Sequence, residues 1–216
     1  MKLWRTANAG ALLEIDGITV LLDGVCREQA PYFGTPDPIR EQLYAAPADI
    51  TAFTHGHLDH FDRGYARSLY TKTLRPILGP ECLLKEGITQ EAVTLGGVTV
   101  QPIATRHLGK AGLDTPHVSF LIRGSQRILF TGDASPAFLK DQDPVDVILA
   151  PYAYGVTPNV WKTVGEKTKH FVLLHMPSRT NDPYDLWTQV EATTQAPGPK
   201  LWTPEMGEKL TIDNSL

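Results

Sequence analysis

Cysteine is nearly absent from this chain. Only Cys26 and Cys82 occur. Two residues so far apart form neither a metal-finger spacing nor a disulfide framework, and they read as reduced thiols in a cytoplasmic protein. Long apolar runs are missing too. No segment approaches the roughly 20 residues that a membrane span requires. The opening Met1-Lys2-Leu3-Trp4-Arg5 lacks the apolar stretch and small-residue cleavage site of a signal peptide. The expectation is a cytoplasmic protein with no membrane partner. Nor is there an excess of positive charge: 20 Lys and Arg stand against 24 Asp and Glu, a net charge of -4. Bulk electrostatics therefore does not indicate a nucleic-acid partner, although a local basic patch stays open. Repeats and low-complexity tracts are absent, as are a Walker-type phosphate loop, a Gly-x-Ser-x-Gly nucleophile elbow and a cysteine nucleophile.

The chain does have enough length and apolar content, 216 residues at 42% hydrophobic, to build one domain over 1–216 without covalent staples. Its pattern is rich in hairpins. Ala11–Ile15 and Ile18–Leu22 flank Asp16-Gly17, a pair suited to a type I′ turn. Ala92–Leu95 and Val98–Ile103 flank Gly96-Gly97, and Val118–Arg123 and Arg127–Phe130 flank Gly124-Ser125. Asp49–Phe53, Pro76–Leu78, Val145–Leu149 and His170–Leu174 read as further strands, with Leu201–Thr203 and Lys209–Ile212 closing. Helices are expected around Ile39–Tyr44, over 62–70 with Asp62 as cap, over Pro80–Glu86, and within 159–169 and 183–194. Such a mixture suggests an α/β (α+β) layout, mixed sheets sandwiched with helices outside. The Pro- and Gly-rich stretch 26–48, carrying Tyr32 and Phe33, is long for a connection and is the candidate lid.

One string stands out. His55-Gly56-His57-Leu58-Asp59-His60 places three histidines and an aspartate within six residues, directly after an expected buried strand. In extended backbone, side chains at i and i+2 point the same way, so His55 and His57 can grip one ion together. A helix starting after the loop would swing Asp59 and His60 toward a second. Imidazole and carboxylate are what zinc takes when no cysteine is involved, and manganese or iron accept the same set.

The run Thr54–His60 resembles the HxHxDH motif of the metallo-β-lactamase fold superfamily, in style its small stand-alone branch of ascorbate-phosphate lactonase-like proteins. The resemblance extends to Asp23 at the end of an early strand, His107 after Ala104-Thr105-Arg106, Asp133 after Phe130-Thr131-Gly132, and His175 before Met176-Pro177. It implies an αββα sandwich of two mixed β-sheets. It also implies a ligand set: His55, His57 and His107 on a first divalent ion, Asp59, His60 and His175 on a second, Asp133 between them, and Asp23 behind the ligands. His117 competes with His107 for the third position, and His107 is preferred because it closes a strand. His170 begins its strand and reads as structural.

Two divalent ions less Asp59, Asp133 and a bridging hydroxide leave a centre of roughly +1, suited to an anionic substrate or to an oxyanion in the transition state. Asp59 is placed to hold and carry a proton, and Asp59 and Asp133 are the catalytic candidates. The leading expectation is hydrolysis of a small, anionic ester or lactone-type molecule. Phosphodiester hydrolysis of a nucleotide or nucleic acid is the alternative, and a non-catalytic metal-binding regulator a third. The motif carries His57 where the resemblance's flavodiiron redox branch has Glu, which argues for hydrolysis. Arg106, Lys110, Tyr152, Tyr154, Ser178 and Arg179 are the candidate substrate contacts.

Overall fold

The computed structural model describes residues 1–109 and 114–213. In chain order the strands are β1 (Lys2–Arg5), β2 (Ala11–Ile15), β3 (Ile18–Leu22), β4 (Ile50–Ala52), β5 (Ile77–Leu78), β6 (Val93–Leu95), β7 (Val98–Arg106), β8 (Pro116–Arg123), β9 (Arg127–Phe130), β10 (Val147–Ala150), β11 (His170–Leu173), β12 (Lys200–Trp202) and β13 (Lys209–Thr211). The helices are α1 (Asp37–Ala45), α2 (Arg63–Lys72), α3 (Pro158–Lys167) and α4 (Leu186–Thr194), with short 3-10 turns at Glu81–Leu83, Pro136–Asp141 and Tyr152–Tyr154.

Two sheets form. One runs β13-β1-β2-β3-β4-β5, the other β12-β11-β10-β9-β8-β7-β6. Both are mixed: β3-β4-β5 and β9-β10-β11-β12 are parallel and the remaining pairs antiparallel. The apolar strands alternate cleanly. In β3, Val20 and Leu22 enter the core between the sheets while Leu21 faces outward; in β10, Val147 and Leu149 face in while Ile148 faces out. The outward set is also buried. α1 and α2 cover Leu21 and Phe53 with Ile39, Leu43, Tyr65 and Leu69. α3 and α4 cover Ile148 and Phe171 with Trp161, Val164, Leu186 and Val190. Strands buried on both faces carry near-continuous apolar runs for this reason, and the order helix, sheet, sheet, helix is the expected four-layer sandwich.

Local details follow from residue chemistry. Asp16 (φ 51°) and Gly17 (φ 80°) occupy the left-handed region that a type I′ turn requires. Asp62 caps α2 by accepting from the Tyr65 backbone N–H at 2.9 Å. Two expectations need correction. Pro80–Glu86 yields only the 3-10 turn Glu81–Leu83, since Gly87 (φ 86°) and Pro80 leave too few residues for an α-helix. β1 was not expected as a strand; it forms one between β2 (Leu3 opposite Leu13), which it meets across the Thr6–Gly10 turn, and β13 (Leu3 opposite Leu210). The helix expected over 62–70 does form, as α2 with Asp62 at its cap, and a turn closed by Phe61 N–H to His57 O at 2.9 Å lies within the histidine string itself. Among the described residues no helix is long and apolar enough to cross a membrane.

Candidate metal centre

The histidine string, Asp23 and three later side chains, His107, Asp133 and His175, meet at one end of the sandwich, where β3, β4, β7, β9 and β11 all finish. Sharp backbone turns make this possible. Asp23 (φ 43°) and His175 (φ 52°) sit in the left-handed region that non-glycine residues seldom occupy, and such strain concentrates at functional sites. Gly132 (φ 50°) turns the chain ahead of Asp133, and a Cβ there would run into the Thr54 side chain. His107 and Asp133 are held side by side: His107 forms a bridge with Ala134, Leu108 N–H donates to Asp133 O at 2.7 Å and Ser135 N–H to Arg106 O at 2.8 Å.

The hydrogen bonds behind the histidines orient their rings. The Asp23 carboxylate, fully buried, accepts from Thr54 N–H (2.7 Å), Thr54 Oγ1 (2.5 Å) and His60 Nδ1 (2.8 Å). Because the Thr54 hydroxyl donates to Asp23, its oxygen accepts from His55 Nδ1 at 3.0 Å. His107 Nδ1 donates to Leu108 O at 2.7 Å. In each case Nδ1 carries the proton outward and Nε2 turns inward, the outer-shell arrangement typical of ligand histidines.

The inward atoms converge. Three groups have ligand atoms mutually within 4.8 Å: His55, His57 and His107; His55, His60 and Asp133; and Asp59, His60 and His175. His55 Nε2 and His57 Nδ1 lie 3.0 Å apart. Asp133 Oδ2 sits 3.5 Å from His60 Nε2, 3.6 Å from His175 Nε2 and 3.7 Å from His107 Nε2. Those gaps are too long for hydrogen bonds. They approach the ligand-to-ligand spacing of about 3.4 Å that tetrahedral bonds of about 2.1 Å to zinc produce. His60 Nε2, His107 Nε2, Asp59 Oδ1 and Asp133 Oδ1 are buried without a hydrogen-bond partner, a costly state that a cation relieves. The donor set therefore fits divalent ions.

Charge distribution agrees. Burial works against the Asp133 carboxylate, but His175, His60 and His55 together hold its pKa well below the ordinary range. Burial, and then the His60 charge, hold His55 well below the usual imidazole value; burial and His107 lower His57. Burial opposes protonation of His60 too, yet Asp133 and Asp23 raise its pKa well above normal.

No family model and no curated protein matches the chain. Solved structures do. An isothiocyanate hydrolase from Delia radicum gut bacteria superposes with a TM-score of 0.69 at 17% identity, covering 98% of this chain and 99% of its own. The metallo-β-lactamase fold protein YhfI from Bacillus subtilis gives 0.63 at 14% identity over 97% and 98%. The chain adopts the metallo-β-lactamase fold. The diiron β-hydroxylase CmlA from Streptomyces venezuelae contains it as well, with a TM-score of 0.68 at 15% identity over 98% of this chain and 54% of that one.

Within this metallo-β-lactamase fold the expected substrate contacts part company. Tyr152 stands near His175, ring centroids 6.2 Å apart. Arg106 is exposed and lines a groove of about 540 Å³ with Gln90, His107 and His117. Tyr154 is a correction: it is fully buried and its hydroxyl donates to Ala134 O at 3.0 Å, so it braces the turn after Asp133. Arg179 stacks on Trp187 and pairs with Glu191 at 2.8 Å. Ser178 bonds Thr180 within its own turn, and Lys110 lies outside the described residues. His117 is buried, held by burial at a pKa of about 3, joined to Thr105 Oγ1 at 2.7 Å, and its ring stands 5.1 Å from that of His55. His170 is buried and accepts from Trp202 Nε1 at 3.3 Å, the structural place expected of it.

Two supports escaped the reading of the sequence. The turn Thr6–Gly10 presses on the site: Asn8 O accepts the His175 N–H at 2.9 Å, and a Cβ on Gly10 would meet the Asp23 carbonyl. Buried Arg5 holds this turn through Asn8 O at 3.1 Å and Pro204 O at 2.7 Å. The run of small residues there was the available signal, since small side chains mark close backbone approach. Tyr32, considered only within a lid, stands edge-on to His175 with centroids 4.2 Å apart.

Proposed function

We propose that this chain is a metal-dependent hydrolase acting on a small ester, lactone or related acyl compound. The observation that carries the proposal is the set of inward, hydrogen-bond-free nitrogen and oxygen atoms at the meeting point of the strand ends. In this reading His55, His57 and His107 hold one ion, Asp59, His60 and His175 the other, and Asp133 serves both. When bound, divalent ions supply Lewis acidity and lower the pKa of water toward 7. Zinc is the proposed ion, given a donor set of imidazole and carboxylate; iron and manganese take the same set, and a diiron enzyme shares the fold.

The side chains divide the remaining work. Asp23 fixes the tautomers of His55 and His60, directly and through Thr54. Asp59 Oδ2 lies 3.1 Å from His175 Nε2 and Oδ1 has no hydrogen-bond partner, the arrangement of a carboxylate with one oxygen for the centre and one to hold and pass on a proton. Arg179 is committed to Glu191, and Arg27 and Arg40 to Asp62. Exposed Arg106, in the groove with His107, is the arginine left beside the centre. The positive charge of a loaded centre would act on an oxyanion formed during reaction, as acyl transfer requires.

The test has two parts. Metal analysis of metal-replete protein is expected to give about two ions per chain, and fewer than one overturns the dinuclear reading. Assayed on a lactone and thioester panel beside bis-p-nitrophenyl phosphate, the loaded protein is expected to turn over the acyl compounds. Activity on the phosphodiester alone would reassign the reaction.

A further inference from the structure

The groove of about 540 Å³ beside the centre is walled by Pro80, Gln90, Arg106, Thr115 and His117. His107, a proposed ligand, lines it too, so groove and centre share a wall. The strand pattern explains where Arg106 stands. Val98 and Val100 of β7 pack between the sheets, and strand alternation carries Arg106 to the same face. β6 pairs with β7 only as far as Val100. Beyond it, among the described residues, no strand lies on that side of β7, and Pro80 and Gln90 wall the groove from the link between β5 and β6. The Arg106 backbone is fixed by its register with Pro116 and by Ser135 N–H, which donates to its carbonyl at 2.8 Å. Its side chain is exposed and has no ion-pair partner among the described residues.

The charge of this groove is one-sided. No Asp or Glu lines it, and neighbouring Glu91 and Asp114 stay outside its walls. Three other surface grooves mix signs: Asp146 and Glu166 with Lys167, Glu14 with Lys2, and Asp141 with Arg123. His117 adds no second cation. Ser119 Oγ donates to Thr131 O at 2.8 Å, so it accepts from Thr105 Oγ1 at 3.2 Å, and Thr105 Oγ1 accepts from His117 Nδ1 at 2.7 Å. His117 Nε2, buried without a partner, keeps its lone pair. A lone, unpaired guanidinium in a groove free of carboxylates, on a chain of net charge -4, is an anion site. Its single charge and planar fork match a carboxylate; a phosphate dianion would keep a charge unanswered. Resting on the metal-dependent acyl reading above, we infer that this groove seats the part of the substrate that is not cleaved and that Arg106 pairs there with a carboxylate.

Dicarboxylates matched to their monoamides test this: succinate, glutarate and adipate, each beside the compound in which one carboxylate is an amide. They are titrated by calorimetry into zinc-loaded wild type, Arg106→Ala and Arg106→Lys, with zinc content measured before and after. One carboxylate of every probe is free to meet the centre, so each comparison reads the second. For at least one chain length, wild type is expected to bind the dicarboxylate roughly tenfold more tightly than its monoamide, the factor that a charge-assisted contact gives. Arg106→Ala is expected to lose most of that preference at unchanged zinc content, and Arg106→Lys to keep part of it as a point charge. A preference as large in Arg106→Ala as in wild type overturns the inference, as does the failure of every probe to bind. If 3-phosphonopropionate depends on Arg106 more strongly than succinate does, the group is a phosphoryl one and the carboxylate assignment falls. A protein that shows the Arg106-dependent preference yet hydrolyses no acyl compound keeps this inference and overturns the hydrolase reading instead.

Discussion

Gly132 shows how closely single residues constrain this centre. It combines a left-handed φ of 50° with direct contact against Thr54. Any side chain there strains the backbone and displaces the threonine that links Asp23 to His55. Gly132→Ala is expected to lower zinc affinity at least tenfold, measured by competition with a chromophoric chelator; unchanged affinity would show that Thr54 does not position His55. Asp23→Asn tests the same network from behind. Asn keeps the shape but presents an NH2 group where one of three donors now finds an oxygen. Losing such an outer-shell partner typically costs 10–100-fold in metal affinity, and the same titration is expected to show it. Asp133→Ala removes the carboxylate oxygen lying among three histidine nitrogens, and metal analysis is expected to find at least one ion per chain lost.

The segment that carries His55 to His60 leads directly into α2. Its cap, Asp62, accepts from Tyr65 N–H and pairs with Arg27 at 3.2 Å and Arg40 at 3.1 Å, tying the 26–48 segment to the helix that follows His60. Asp62→Ala is expected to cost about 1–2 kcal/mol in urea unfolding. Burial alone would raise the Asp62 pKa, but Tyr65 N–H, Arg40 and Arg27 outweigh it and the net shift is downward. A carboxylate depressed in the folded state contributes stability that is complete above the unfolded value and lost as pH falls through the folded one. The advantage of wild type over Asp62→Asn is therefore expected to be full above pH 3.8 and to shrink below it; an advantage that persists undiminished in acid would show that the charge of Asp62 is irrelevant. The helices themselves were visible in the sequence because Asp62 and the apolar spacing announce α2, and Pro158 opens α3 at its first position. β1 was not, because its four residues are too short to show an alternating pattern and no Asp-Gly type turn pair follows them, so its pairing with β2 and with distant β13 emerges only in the fold.

At the scale of the whole molecule, the proposed ligands come from strand ends in both sheets, so an ion bound there would join the two halves of the sandwich. Binding only to the folded state adds stability by mass action. Stripping the metal with a chelator is expected to lower Tm measurably, and adding zinc back to restore it; a Tm indifferent to both would show that the cage is rigid without ions or does not hold them. The sequence by itself determined much of this. Period-two alternation and turn pairs marked the hairpins, and the HxHxDH string with the strand-ending His107, Asp133 and His175 marked the residues that the fold gathers. Those signals are local, carried by neighbours in the chain, and local chemistry suffices to write them. The tertiary structure decided what depends on distant neighbours: that Tyr154 is a buried brace while Tyr32 reaches His175, that Arg179 is bound to Glu191, and that Arg5 and the Thr6–Gly10 turn stand behind the site. A tyrosine or arginine has the same local pattern whether it lines a cleft or props a loop, and only the packing of remote segments against it selects between the two.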